Sequence, residues 1–481
     1  MRRAAVAILA GLAIAVAVRS SGAAAPPEPP RPEEVFQRSY FFDEQTRERL
    51  EAQVPAKQKA LVEWGGAYIP TYTFFNNYSL RADGSLNQGG AHVTVQDLRL
   101  WAQFLLDDVN RIYARGLLRY TDWSAGDAGG FRQHDLQGMN LEVGYYELDI
   151  AGAARKYAHQ DWPARALFRG GRQYIEVGRG IAMAKYLDAG WIQVETKDLR
   201  LELFGGRTIE SEDNIDRSAP GFTHSRRNVY GMQAAYRGIP NHEPYVFLVY
   251  QRDRSEEKPI DPFQDYRYTS WYGGIGARGG LGPRTRYILE GIFEWGDSAA
   301  NGQVGDSERI QAWAGDAQID HFFNLPTNPL LSVEYAYASG DSDRTSATTA
   351  VGGNRIGTRD MEFQGFGYVN SGLALGARFS NIQFARIGGR FTPYEQKTGF
   401  GRLDLGYNFY WLWKAKAAGP ISDTLAVNDS LDIGKEIDVF AEWRILSDLA
   451  LSLHYGRLFP GDAYQDDEPR NFFFSALTFS F

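Results

Sequence analysis

The chain has 481 residues, of which 43% are hydrophobic and 14% aromatic, and its formal net charge is −8 at pH 7. The absence of cysteine excludes disulfide frameworks, Cys-ligated zinc, iron–sulfur clusters and cysteine nucleophiles. The net negative charge argues against a nucleic-acid partner, and abundant aromatics with 52 glycines favour strands and turns over helix bundles. Of the 51 basic residues 41 are arginine, which suits bidentate binding of carboxylates or phosphates, although a GC-rich genome produces the same bias.

The first 25 residues have the three parts of a secretory signal peptide. Arg2 and Arg3 precede an apolar run over 4–18, and small residues follow over 20–25. The apolar run is shorter than the roughly 20 residues that span a bilayer. The sequence therefore predicts that residues 1–25 are a cleaved signal peptide.

Residues 26–60 are predicted to precede the main domain as a linker and a short helix. Five prolines lie within 26–32, which indicates an extended segment. Residues 43–54 are predicted to form the helix, because Asp43 can cap its start and Pro55 ends it. Its thin apolar stripe is compatible with a solvated periplasmic segment or with a plug.

From residue 61 onward the hydrophobic pattern has a period of two, which indicates β-strands. In the segment 403–413 the odd positions are all apolar or aromatic. The even positions, counted from the residue before the segment, begin with Arg402, Asp404, Gly406 and Asn408. The same alternation recurs at 98–104, 112–118, 199–203, 287–295, 331–337, 437–443 and 449–455.

Three features favour a transmembrane barrel over a soluble sandwich. The segments are long for globular strands, and very short connections such as 196–198 alternate with long polar ones such as 339–359. The chain also ends in an alternating strand with a final Phe481. Residues 61–481 are thus predicted to form one all-β, antiparallel barrel. At roughly 23 residues per strand and connection we expect about 18 strands, within 16–20.

The polar faces of these strands carry a mixture of charges that we expect to line the lumen. The alternation places on these faces Arg99, Arg111, Arg115, Arg119, Arg200, Arg402 and Arg444, together with Glu142, Glu202, Asp404 and Glu442. One interpretation is an anion-attracting pathway. The other is that these charges pair across neighbouring strands to fill a polar interior.

Several motifs resemble the alginate export family of outer-membrane barrels. They are 169–179, the segment from 187–191 to 204–207, and the early segments 97–101 and 113–115. The resemblance implies an 18-stranded barrel that passes an anionic uronate polymer through an arginine-lined constriction. By this resemblance Arg99, Arg115, Arg179 and Arg207 are expected to line the constriction. Arg172, in the first motif, is also expected to lie along the pathway.

The resemblance also sets the expected surroundings of the protein. We expect a monomer in the outer membrane of a Gram-negative-type bacterium, in contact with lipid and lipopolysaccharide. Its substrate would be an anionic polysaccharide, and periplasmic export proteins are possible partners. No cofactor is expected.

The sequence offers little for catalysis or metal binding. The seven histidines form no HExxH motif, and no Gly-x-Ser-x-Gly elbow or P-loop is present. The acidic segments 341–343 and 466–468 are interpreted as solvated charge rather than calcium sites. Two alternatives stay open: a general anion or oligosaccharide porin, and a barrel-embedded hydrolase in which His454 lies near Ser452.

Overall fold

A computed structural model describes residues 62–78, 89–128, 132–209, 227–254, 268–298, 307–347, 354–394 and 401–481. The predicted signal peptide, linker and helix over 43–54 lie outside these residues. The strands of the described part are β1 (Val62–Asn76), β2 (Gly90–Leu105), β3 (Asn110–Trp123), β4 (His134–Asp149), β5 (Arg165–Val177), β6 (Met183–Glu195), β7 (Leu199–Thr208), β8 (Arg227–Tyr236), β9 (His242–Asp253), β10 (Tyr268–Gly280), β11 (Thr285–Ser298), β12 (Glu308–Phe322), β13 (Leu330–Ala338), β14 (Ile382–Tyr394), β15 (Arg402–Lys414), β16 (Asp432–Arg444), β17 (Leu449–Pro460) and β18 (Arg470–Ser480).

These 18 strands form one closed antiparallel barrel, because β1 pairs with both β2 and β18. The predicted fold class and strand number are confirmed. We call the end at which β2 passes into β3 the turn side. The opposite end, at which β13 passes into β14, is called the loop side.

One helix, α1 (Ile150–Ala158), connects β4 to β5 on the turn side and was not predicted. The Asp149 carboxylate caps its start by accepting a hydrogen bond from the Gly152 backbone amide at 2.9 Å. His159 ends it in the left-handed conformation, with φ of 55°. Within the described ranges, the structure contains no helix that is long and apolar enough to cross a membrane.

The outer face of the barrel is apolar, as the alternation predicts. Ile275, Trp313 and Phe479 point outward with 68%, 50% and 45% of their surface exposed. Their neighbours along the strands point inward, so Ala314 and Ala312 are almost fully buried. A lipid-facing wall of this kind is the expected surface of a membrane barrel.

The interior differs from the uniformly polar lumen that the sequence led us to expect. On the loop side the inward positions become apolar, and Phe384, Tyr410, Leu412 and Phe472 are each at most 2% exposed. They belong to one hydrophobic cluster with residues of a segment that we call the lumen loop, 354–381, within the β13–β14 connection. The lumen loop fills this half because its aromatic side chains require an apolar partner surface.

Wall carboxylates hold the lumen loop by its backbone. Glu294 accepts a hydrogen bond from the Gln364 amide at 2.9 Å. Glu436 accepts from the Ala374 and Leu375 amides at 2.6 and 2.8 Å. These hydrogen bonds hold the lumen loop against β11 and β16.

The β5–β6 hairpin also bends into the lumen. Strand β4 pairs with β5 only from Gly144 to Asp149, although both strands continue beyond that point. The bend is at Gly171, whose φ is +136° and where an added Cβ would lie 2.3 Å from the Gly144 carbonyl oxygen. At the hairpin tip, Met183 pairs with Phe366 of the lumen loop.

Candidate functional site

On the inner face of β2, β3 and β4, three predicted arginines alternate with two carboxylates. Arg119 donates to both oxygens of Asp97 at 2.7 Å. Arg99 lies 3.4 Å from Asp97 and 3.2 Å from Glu142, and Arg115 lies 2.5 Å from Glu142. These ion pairs form a continuous row of largely buried charges, which we call the charge ladder.

Glu142 reaches both arginines because β4 contains a β-bulge. Arg115 pairs with Val143 while the next residue, Gly116, pairs with Leu141, so Glu142 is the extra residue. A bulge re-aims the side chain that it displaces. The bulge therefore brings one carboxylate between the guanidinium groups of Arg99 and Arg115.

Nearer the turn side, single carboxylates collect several arginines. Arg111 lies 2.6 Å from Glu147, which also pairs with Arg169. The Arg169 guanidinium lies 5.2 Å from the Trp191 ring centroid, in cation–π range. Arg111 is thus paired in the same way as the arginines of the charge ladder.

Glu243 is the centre of a second turn-side cluster. Arg200 lies 3.0 Å from Glu202 and 3.3 Å from Glu243. Arg237 and Arg278 contact the same Glu243 carboxylate at 2.8 and 2.5 Å. The hydrogen bond to Glu243 raises the pKa of Arg237, which lies in the β8–β9 turn.

Arg179 lies at the tip of the inward-bent hairpin and crosses the lumen. Its guanidinium pairs with Asp316 of β12 and lies 2.8 Å from Glu334 of β13. Gln318 also accepts from it, and Arg386 of β14 pairs with Glu334 from the wall. Strands β12 and β13 are at least six strands away from the hairpin around the barrel, so Arg179 bridges two separate parts of the wall.

The inner face of β14 to β16 carries cations that are less compensated. Arg402 lies 3.1 Å from Asp404. Arg444 pairs with Arg402 across the strands, and Arg390 lies on the same face of β14. Neither Arg444 nor Arg390 makes an ion pair with any residue that the structure describes.

Glu442 interacts with Ser452 and His454 of β17. The Ser452 hydroxyl donates to one Glu442 oxygen at 2.5 Å, and His454 Nε2 lies 2.8 Å from the other. In a nucleophilic triad the serine would bond to the histidine and the histidine to the acid. Here serine and histidine share one carboxylate instead, so the arrangement does not activate Ser452.

Two of the predicted pathway arginines lie on the outer face. Arg172 lies opposite Asp188 across the strands and three positions after Arg169, which faces inward. Arg172 and Asp188 therefore point away from the lumen. Arg207 is opposite Asp188 and is exposed, on the face of Leu203. The prediction for Arg172 and Arg207 is therefore corrected. For Arg207 the physical reason is the two-residue period itself, because an odd position on β7 faces outward.

The sequence analysis missed most partners of the predicted arginines. Asp97 and Glu334 lie on or directly before predicted strands, and counting alternate positions finds them there. The other missed residues lie on β4, β9, β12 and β14, where the sequence analysis singled out no alternating segment: Glu147, Glu243, Asp316 and Arg386. Within the described ranges, no group of three or more His, Asp or Glu side chains is arranged to hold a metal ion.

Comparison with known proteins shows which proteins share the fold of this chain and to which family it belongs. Crystal structures of Pseudomonas aeruginosa OccK5 (OpdH) and OccK11 (OpdR) match with TM-scores of 0.51 and 0.50 at 10% and 12% identity, covering 87% of this chain in both cases and 98% and 96% of theirs. Acinetobacter baumannii OccAB4 matches with a TM-score of 0.51 at 12% identity, covering 89% of this chain and all of that one. At these identities the likeness shows a shared barrel fold.

The sequence matches none of the curated proteins with which it was compared. A family model described as alginate export matches residues 84–475, which is most of the barrel. The chain therefore belongs to the alginate export family.

Proposed function

We propose that this chain is an outer-membrane channel that carries an anionic polysaccharide, an alginate-like polyuronate, past arginines of its lumen. Membership of the alginate export family and the porin-like barrel support an outer-membrane channel in a Gram-negative bacterium. The substrate class is our inference from the charges of the inner face.

The observation that carries this proposal is the pair Arg390 and Arg444 on the turn-side half of the lumen. Their guanidinium groups make no ion pair with the described residues, so they are available to a passing carboxylate. Asp404 and Glu442 lie beside them. Neighbouring acids weaken each contact, which allows a polyanion to move on rather than remain bound.

The charge ladder has a different part in this proposal. Its arginines are held by Asp97 and Glu142, so a polymer carboxylate must compete with these carboxylates. We assign the ladder to positioning and shaping of the lumen, and first contact with the polymer to Arg390 and Arg444. The channel would act as a monomer that receives polymer from periplasmic export proteins.

Planar bilayers with the purified full-length protein test the proposal. We expect anion selectivity in a KCl gradient and block by oligouronates from the turn side. Arg390→Gln and Arg444→Gln should weaken the block about tenfold each, because each removes one charge-assisted contact. Arg457→Gln is the matched control, since Arg457 lies beside Phe459 on the outer face of β17.

Two results would contradict the proposal. Cation selectivity that both variants leave unchanged would exclude an anion pathway. Anion conduction without any block by oligouronates would favour a general anion or oligosaccharide porin. A barrel-embedded hydrolase has less support, because Ser452 donates to Glu442 rather than to His454.

A further inference from the structure

The outer face carries a row of aromatic side chains on the loop side of β8 to β11. Tyr230, Tyr250, Trp271 and Trp295 are successive cross-strand partners or neighbours in register. The Tyr250 and Trp271 rings lie 4.4 Å apart, and Trp271 and Trp295 are stacked at 6.0 Å. Tyr250 is only 1% exposed, so Tyr230, Trp271 and Trp295 supply the accessible rings of the row. Aromatic girdles mark the boundary between the hydrocarbon and the headgroups of a membrane.

The outward positions on the turn-side of this row are apolar. Met232 of β8 is 48% exposed and Val246 of β9 is 52% exposed. Tyr236, 47% exposed, ends this band at the turn side. The apolar band between two aromatic ends is the part of the wall that faces lipid tails.

The next outward position beyond the aromatic row, away from this apolar band, is basic. Arg207 of β7 is opposite Asn228 of β8, which is opposite Arg252 of β9. Arg207 and Arg252 are both exposed, and neither makes an ion pair with a described side chain. Because neighbouring strands lie about 4.8 Å apart, the two arginines are about 10 Å apart and their side chains can converge on one anion.

The nearby carboxylates do not neutralise this pair. Both oxygens of Asp188, the residue opposite Arg207, are taken by Arg172 at 2.8 and 3.1 Å. Asp253, next to Arg252 in sequence, faces inward and lies 3.9 Å from Arg227. Among the residues that the structure describes, the outer face at this level therefore has two guanidinium groups without an ion-pair partner and an amide between them.

Bacterial outer-membrane barrels have short periplasmic turns and longer extracellular loops, so the loop side of this barrel is assigned to the outer leaflet. We propose that Arg207, Asn228 and Arg252 bind a phosphate group of the anionic glycolipid in that leaflet. Guanidinium groups hold phosphate oxygens in bidentate geometry, and the Asn228 amide adds a donor between them. The position just above the aromatic girdle is the depth of the lipid headgroups, where basic side chains attract anionic lipid. The site faces away from the lumen and is independent of the proposed function.

The test measures binding of a detergent-solubilised phosphorylated lipid A to the full-length protein by native mass spectrometry. Its dephosphorylated form and inorganic phosphate are the comparison ligands. We expect the dephosphorylated lipid and the double variant R207Q/R252Q each to lose at least tenfold in affinity. Lys435→Gln, which removes an exposed outer-face cation on the loop side of β16, should change affinity less than twofold.

Single-channel conductance of the double variant should equal that of the wild type, which shows that the barrel is intact and separates this test from that of the lumen. Equal binding of the dephosphorylated lipid, or unchanged affinity in the double variant, would overturn the proposal. Inorganic phosphate that competes at concentrations similar to the lipid would identify a general anion site and would also overturn it.

Discussion

At the residue scale, the arginines of the inner face act mainly as members of shared ion pairs. Glu142 joins Arg99 to Arg115, and Glu243 joins Arg200 to two further arginines. A buried guanidinium requires such a partner, because an unpaired buried charge loses its hydration without compensation. The cross-strand pairing that the sequence left as one of two interpretations therefore describes most of these residues.

Replacing Glu142 by glutamine should destabilise the barrel and increase its anion selectivity. The change leaves Arg99 and Arg115 without their shared carboxylate, and removing one partner of a buried ion pair costs about 3–5 kcal/mol. The Arg99, Arg115 and Glu142 side chains are 3%, 5% and 8% exposed, so little solvent screening reduces this cost. Urea unfolding followed by tryptophan fluorescence measures the stability, and reversal potentials measure the selectivity.

Glu442→Gln is the control for this prediction. Glu442 is also lumenal, but its partners are Ser452 and His454 and its side chain is 33% exposed. We expect a smaller loss of stability, within about 1 kcal/mol. Equal effects of the two substitutions would show that Glu142 has no special position between the arginines.

At the element scale, the lumen loop and the inward-bent hairpin set the shape of the interior. Glu362 of the lumen loop is fully buried and accepts a hydrogen bond from Ser380 at 2.7 Å. Burial raises the pKa of Glu362 to about 8 from its ordinary 4.5, although the nearby Arg344 opposes the shift. The docked lumen loop therefore keeps a proton that an undocked one would release.

Docking of the lumen loop should weaken as the pH rises from about 4.5 to 8. In this window the docked state binds more protons than the undocked state, so each increase in pH favours undocking. We expect single-channel recordings to show more large-conductance openings at pH 8.5 than at pH 5.5. Glu362→Gln should reduce this difference, whereas Asp343→Asn in the same β13–β14 connection should leave it unchanged. A pH dependence as large in Glu362→Gln as in the wild type would contradict the assignment.

At the scale of the whole molecule, the fold depends on closure between its first and last strands. Gly66 of β1 and Phe481 exchange backbone hydrogen bonds of 2.9 and 3.0 Å. The rest of β18 pairs with β1 on one side and β17 on the other. In lipid an open sheet edge is not tolerated, because each unpaired backbone group costs several kcal/mol.

Deletion of residues 470–481 should abolish the folded barrel, whereas Phe481→Ala should only weaken it. The deletion leaves the edges of β1 and β17 unpaired, but the substitution keeps the backbone hydrogen bonds and loses one aromatic contact. Heat-dependent mobility in SDS gels distinguishes folded from unfolded barrels. A heat-dependent band in the deleted chain would show that the other strands close without β18.

The sequence predicted the strands well because alternation is a property of each strand by itself. Residues 403–413 reveal β15, and the apolar Tyr410 and Leu412 on its otherwise polar face already indicate the apolar loop-side interior. Counting alternate positions along β7 also places Arg207 on the outer face, and only the family resemblance suggested a position in the lumen. The contacts of Arg179 with β12 and β13 could not be predicted, because they join segments more than 130 residues apart.

The sequence by itself determined the strand period, the outward apolar face and the approximate number of strands, because these follow from local side-chain patterns and chain length. The tertiary structure alone decided which arginines are neutralised, where the lumen is filled and which charges face lipid. These properties depend on register, on the bulge at Glu142 and on the bend at Gly171. A bulge or a bend changes the direction of every side chain beyond it, and only its partners on other strands reveal where those side chains lie.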